Sequence, residues 1–216
     1  MYQQQESSAI RLTLAEYRAL EAASERKWEY LDGEAWCLAG GSNTHSLICA
    51  NIIGELRAAL RPRGKCCVVH TSDAKVKLSQ KRHLYPDVTV SCDARDREHN
   101  AFLSYPCVVV EVLSRSTQSK DRGPKLLAYQ NLASLQEIVL VSSRLLRIAV
   151  YHRQAEGGNL WTYEVISGTE GALKLASLGV EHPFSAIYAD TMTWGGKGSA
   201  DINEVDEVAE LEEEEE

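Results

Sequence analysis

The sequence predicts a mixed α/β fold, one central sheet with helices on its faces. Three observations predict it. Apolar strand-like runs fill the middle of the chain, with CVVVEVLS (107–114) the plainest; segments of helical periodicity, SNTHSLICANIIGELRAAL (42–60) and PKLLAYQNLASL (124–135), alternate with them; and polar or Gly/Pro-containing connections separate the two kinds. At 216 residues and 44% hydrophobic content the chain can bury one good-sized core, and it shows no internal repeat. We expect a single domain over residues 10–195.

Each element has a local reason. TLAEYRALEAA opens with the Thr13-x-x-Glu16 capping pattern and places Leu14, Tyr17 and Leu20 at helical spacing, so a short helix stands ahead of the main fold. WEYLDGEAWCLAG is two strand-like pieces around Asp32-Gly33, a strong hairpin signal. The next helix has Ser42, Asn43 and Thr44 as candidate caps, repeats Ile48, Ile52, Leu56 and Ala59 on one face, and ends near Pro62 and Gly64. CCVVHTSDAKVKLS reads as a strand or two, HLYPDVTVSCD as a second and CVVVEVLS as a third. The helix from Pro124 follows, then the strand EIVLVSS and a β-rich end through RLLRIAVYHRQ, NLWTYEVIS and ALKLASLGV.

Charge and cysteine content narrow the class. Residues 201–216 hold ten carboxylates and no Lys or Arg; without them the 31 acidic residues fall to 21 against 23 basic ones, a net of +2 over residues 1–200. The folded part therefore tolerates a polyanion without being a strong basic attractor. Residues 196–216 read as a disordered acidic tail. No apolar run is long enough for a membrane span and the first residues lack a basic head, so a cytoplasmic protein without membrane association is expected. The six cysteines (37, 49, 66, 67, 92, 107) contain no CxxC and read as reduced core residues.

One residue breaks the pattern of the plainest strand. Glu111 lies inside CVVVEVLS, where both faces are otherwise apolar. A lone buried carboxylate costs several kcal/mol, of order 5, unless a cation, hydrogen bonds or a raised pKa offsets it. Asp87 follows Pro86 at the start of the preceding strand, and in the right register it comes close to Glu111. With no GxSxG and no HExxH present, a divalent cation is the simplest group to hold two such carboxylates together, and Mg²⁺ prefers oxygen ligands of this kind. Lys125 opens the next helix on the face of Ala128, Tyr129 and Leu132, aimed at the sheet. His45 caps the buried stripe of the 42–60 helix. Glu29, between Trp28 and Tyr30, reads as an exposed edge position.

Taken in order, Pro86-Asp87, Glu111 and Lys125 resemble the PD-(D/E)xK nuclease signature. The frame WEYLDGEAW, SNTHSLICANIIGEL, YPDVTV, VVVEVLSRST, DRGPKLLAY and SLGVEHPFSAIY is similar to the Uma2 family of endonuclease-like proteins over roughly residues 12–190. The resemblance implies a restriction-endonuclease-like central sheet with an extra N-terminal helix and hairpin, Mg²⁺-dependent (or Mn²⁺-dependent) phosphodiester cleavage of DNA, and dimerisation, for which the β-rich segment 145–180 is the candidate surface. It implies that Asp87 and Glu111 hold the metal, with Lys125 and His45 as further catalytic residues and Asp121 and Tyr129 positioning the lysine. The lysine departs from the parent pattern, in which it stands two residues after the acid; Leu113 occupies that place. The competing reading is a nuclease-like module that binds DNA or a protein partner without cutting.

Overall fold

The computed structural model describes residues 9–195, apart from 39, 64–65, 99–100, 115–119 and 155–158; the acidic tail of residues 196–216 lies outside them. A two-residue strand β1 (Ile10–Arg11) leads into α1 (Leu14–Ala23). Its start is the predicted box: the Glu16 N–H donates to the Thr13 hydroxyl at 3.3 Å and the Thr13 N–H donates to the Glu16 carboxylate at 2.8 Å. Strands β2 (Trp28–Leu31) and β3 (Glu34–Cys37) close around Asp32 and Gly33, whose φ angles of 51° and 106° are the left-handed pair that a two-residue hairpin turn demands. Of the three candidate caps, Ser42 starts α2 (Asn43–Leu60) by accepting from the His45 N–H, and the helix buries Ile48, Ile52, Leu56 and Leu60.

The strands that follow divide between sheets. β4 (Val68–Thr71), β5 (Val76–Ser79), β6 (Arg82–Leu84), β7 (Val88–Ser91), β8 (Val108–Leu113), β9 (Glu137–Ser142), β10 (Arg147–Arg153) and β11 (Trp161–Ser167) form the body of the fold. The six-stranded sheet runs β11-β10-β9-β8-β7-β4, parallel between β8 and β9 and antiparallel elsewhere. A five-stranded sheet, β1-β3-β2-β6-β5, is separate, and β12 (Ala172–Leu175) pairs with β13 (Val180–Pro183). Short helices α3 (Arg95–Glu98), α4 (Leu126–Gln130), α5 (Phe184–Ile187) and α6 (Met192–Gly195) complete the described chain.

The mixed α/β class and its central mixed sheet hold, as the six-stranded sheet, and among the described residues two smaller sheets stand beside it. HLYPDVTVSCD is not one strand: Pro86, without an N–H to give, lies between β6 and β7, which join different sheets. The hairpin thus belongs to a second sheet that covers part of the first. The helix expected from Pro124 also differs. A π turn over Asp121–Lys125, with Gly123 outside helical geometry (φ −102°, ψ −109°), precedes α4, which ends at Gln130.

Alternation along β8 sends Val108, Val110 and Val112 to one core and Val109 and Leu113 to the other. The first core packs under α2; the second packs under α4 and takes Trp36 and Leu84 from the smaller sheet. The residues of β8 are all buried, which identifies it as the central strand expected. The cysteines need correction. Cys67 and Cys92, read as reduced, form a disulfide, because the β4–β7 register that pairs Val68 with Ser91 brings them side by side at the next position. Among the described residues no helix is long and apolar enough to cross a membrane.

Candidate active site

The β7–β8 register sets the site. Val88 pairs with Val110, so one step back along β7 Asp87 stands across from Glu111. Asp87 sits where pairing begins, and its Oδ2 accepts from the Val112 N–H at 2.7 Å. That same oxygen is 3.1 Å from His45 Nε2, reaching over from the first turn of α2. The His45 ring is pressed against Gly41, where an added Cβ would lie 2.6 Å from Nδ1. Glu111 is 3% exposed and shares the face of Val109 and Leu113, toward α4.

There the π turn and α4 deliver the lysine. Lys125 Nζ lies 2.7 Å from Glu111 Oε1, 3.0 Å from Asp121 Oδ1 and 3.3 Å from Glu29 Oε1. The Tyr129 hydroxyl, one turn on, donates to Glu111 Oε1 at 2.6 Å. Glu29 comes from the hairpin; its Oε2 accepts from Trp36 Nε1 and its Oε1 from the Tyr85 N–H, both at 2.8 Å. Three carboxylates thus surround one ammonium, and all four side chains are almost fully buried.

Burial and that excess of negative charge act together on the protonation. Burial holds the Glu111 carboxyl well above the usual carboxylate range; Lys125 opposes this, while Asp121, Asp87 and Glu29 reinforce it. For Lys125 burial is the largest influence and favours proton loss, but Glu111, Glu29, Tyr129 and Asp121 together outweigh it and keep the ammonium charged. Burial and the Glu111 charge keep Tyr129 protonated. His45 is raised despite burial, its largest influence, because the hydrogen bond and charge of Asp87, aided by Asp121, prevail. The site therefore contains in Glu111 a carboxyl that holds its proton more tightly than usual, a fixed cation in Lys125 and a titratable imidazole in His45.

The geometry brings the four expected residues into one chain of contacts: His45 to Asp87, Asp87 to the backbone beside Glu111, and Glu111 to Lys125. Asp121 and Tyr129 meet the lysine cluster as expected. Glu29 does not stand at an exposed edge. It is 1% exposed and serves the buried Trp36 indole and the part-buried Tyr85 N–H as well as the lysine. The hairpin itself carried the missed signal, since a two-residue turn at Asp32-Gly33 fixes Glu29 opposite Trp36, whose indole N–H needs an acceptor when buried. Cys49 was read only as a core residue; its Sγ lies 3.7 Å from His45 Nδ1.

Asp87 and Glu111 thus hold facing positions on paired strands, and the turn into α4 brings Lys125 to Glu111. The chain belongs to the Uma2 family, whose model, described as "Putative restriction endonuclease", matches residues 14–183. Among curated proteins it is 36% identical over 179 residues to uncharacterized protein slr1290 of Synechocystis sp., covering 82% of this chain and 92% of that one. A second Synechocystis protein, sll1609, is 26% identical over 168 residues, covering 76% and 93%. Among solved structures, a protein from Anabaena variabilis described as a "putative nuclease belonging to DUF820" superposes with a TM-score of 0.67 at 18% identity, covering 82% of this chain and 97% of that one, which shows the shared fold.

Proposed function

We propose that the protein is a divalent-metal-dependent endonuclease that hydrolyses phosphodiester bonds in DNA. The observation that carries this reading is the β7–β8 register, which sets Asp87 opposite Glu111 while the π turn ahead of α4 holds Lys125 at 2.7 Å from the same glutamate. Family membership and the nuclease-like fold support it. The donor chemistry fits a hard cation. Carboxylate oxygens are the ligands Mg²⁺ and Mn²⁺ take, and Glu29, Glu111 and Asp121 outnumber the one ammonium among them, so added positive charge is favoured there.

Asp87 and Glu111 would hold the ion. When bound, it lowers the pKa of a water and neutralises charge on the phosphate. The protein's own groups do the rest. Lys125, unable to swing away from its three carboxylates, places a fixed positive charge where a scissile phosphate gathers negative charge. Asp87 is held in one rotamer by the Val112 N–H, and Tyr129 holds Glu111. His45 Nε2 can take up or return a proton beside Asp87. Glu29 acts on the lysine rather than on substrate.

Cleavage of supercoiled plasmid with Mg²⁺ or Mn²⁺, run beside Asp87→Ala and Glu111→Ala, tests the reading. We expect nicking that needs the metal and falls at least about 100-fold in both variants. Equal nicking by wild type and both variants refutes it. One observation favours the alternative of a silent module. Lys125 is only 4% exposed, so its cluster can act as a buried structural unit. That reading predicts no metal-dependent cleavage by the wild type at any metal concentration.

A further inference from the structure

On helix α2, His45 and Cys49 are one turn apart and share a face, and that face meets the start of β7. Among the described residues, one ligand atom from each of His45, Cys49 and Asp87 lies within 4.8 Å of the other two. His45 Nδ1 is 3.7 Å from Cys49 Sγ, and His45 Nε2 is 3.1 Å from Asp87 Oδ2. An imidazole gives an ion one of its two nitrogens, so these two contacts lie on different sides of the ring; tetrahedral zinc, with bonds of about 2.0 Å to nitrogen or oxygen and about 2.3 Å to sulfur, spaces such ligands roughly 3.3–3.5 Å apart, and turning the three side chains toward one another closes a set already within 4.8 Å to that spacing. The site is reachable: the His45 and Asp87 side chains are 19% and 18% exposed.

We propose that His45, Cys49 and Asp87 form a binding site for a borderline-soft divalent cation of the zinc type, distinct in ligand set from the carboxylate pair that would serve Mg²⁺. The ligand chemistry selects the ion. A thiolate and an imidazole suit zinc and cobalt, whereas Mg²⁺ takes oxygen donors and keeps its waters. A thiolate and a carboxylate together carry two negative charges, which match a dication, and the Cys49 proton leaves to solvent on binding. Three protein ligands leave the fourth position for water. The ligands are also held: the lack of a side chain at Gly41 leaves the space the imidazole occupies, and the Val112 N–H fixes Asp87. Asp87 belongs to both ligand sets. On the nuclease reading, on which this consequence rests, a zinc-type ion takes Asp87 from the hard cation and inhibits cleavage.

The test uses the full-length protein and Co²⁺ as the probe. Co²⁺ added to the wild type should produce the near-ultraviolet thiolate-to-cobalt charge-transfer band, Cys49→Ser should lack it, and Glu111→Gln should keep it. Zinc affinity, measured by competition with a chromophoric chelator, should fall in Cys49→Ser by more than the roughly 10- to 100-fold that loss of an outer partner costs. Wild-type protein without the band, or Cys49→Ser with the band and wild-type zinc affinity, overturns the proposal; the first result needs no variant to fold. The spectra do not depend on cleavage. A protein that shows the band but never cuts plasmid defeats the nuclease reading and leaves this site standing, and one that cuts but shows no band does the reverse.

Discussion

Replacing Glu29 separates the structure from what its local sequence suggests, because at an exposed edge the substitution would cost little. Its two oxygens serve Trp36 Nε1 and the Tyr85 N–H, and Oε1 also faces Lys125. Glu29→Ala leaves the buried Trp36 indole N–H without its acceptor, at about 1–3 kcal/mol, and the part-buried Tyr85 N–H without its own, at up to about as much again, so about 2–5 kcal/mol in all. Lys125 keeps Glu111 and Asp121, so it adds no uncompensated charge. Glu29→Gln retains one acceptor oxygen and turns an NH₂ toward the other donor, so it should cost about half as much. These are large fractions of the roughly 5–15 kcal/mol that holds a domain folded. Urea unfolding measures them: with a slope of about 2 kcal/mol per molar, a 3 kcal/mol loss moves the midpoint down by about 1.5 M at unchanged slope. The alanine variant should be the less stable of the two. A loss below about 0.5 kcal/mol in Glu29→Ala, the range of ordinary surface substitutions, would refute the buried acceptor role.

Three more outcomes are expected. His45 is raised only because Asp87 outweighs burial, so Asp87→Asn should drop its NMR titration midpoint below the ordinary 6.5; in wild type the pair's contribution to stability is complete below that unfolded value and is lost as pH rises through the folded one. An unchanged midpoint would remove Asp87 as the cause. Glu111 has the opposite sign for an acid: its folded value lies above the unfolded 4.5, so metal-free protein binds the extra proton when folded and loses stability as pH rises from 4.5 to the folded value. Glu111→Gln should flatten that part of the stability-versus-pH curve, and an unaltered curve would assign the slope to other groups. Burial pushes the Cys107 thiol up to about 11, so at pH 8 about one molecule in 1,000 carries the thiolate; mass spectrometry after brief alkylation should find exposed Cys66 modified well before Cys107. Equal labelling of the two would contradict the buried setting of Cys107.

What could be read from the sequence follows the range of the interactions involved. The capping box at Thr13, the turn at Asp32-Gly33 and the buried stripe of α2 are written within a few residues, and all three are where they were expected. Glu111 was legible because its own strand contradicts it. Pairing across the chain was harder to see. Pro86 signals a break, but nothing local says that β6 on one side and β7 on the other enter different sheets. Cys67 and Cys92 are 25 residues apart, and only the β4–β7 register makes them neighbours. The helix at Lys125 starts in a π turn because Gly123 leaves helical geometry before Pro124, a backbone choice that periodicity does not encode.

The buried cluster also bears on why such an arrangement exists. If Lys125 and Glu111 were only a structural pair, one carboxylate would suffice, and well-packed apolar side chains of similar size would often be at least as stable. The fold instead surrounds one ammonium with Glu29, Glu111 and Asp121, and adds Asp87 close enough to raise Glu111 further. Each carboxylate beyond the first increases repulsion that folding must overcome, and protonation of Glu111 relieves only part of it. An arrangement that opposes folding in the metal-free protein and is relieved by a dication is understandable where binding that ion is the purpose. Mg²⁺ should therefore raise the unfolding temperature of the wild type by more than that of Glu111→Gln. Equal stabilisation of the two proteins would mean that the carboxylate excess is not what the ion answers.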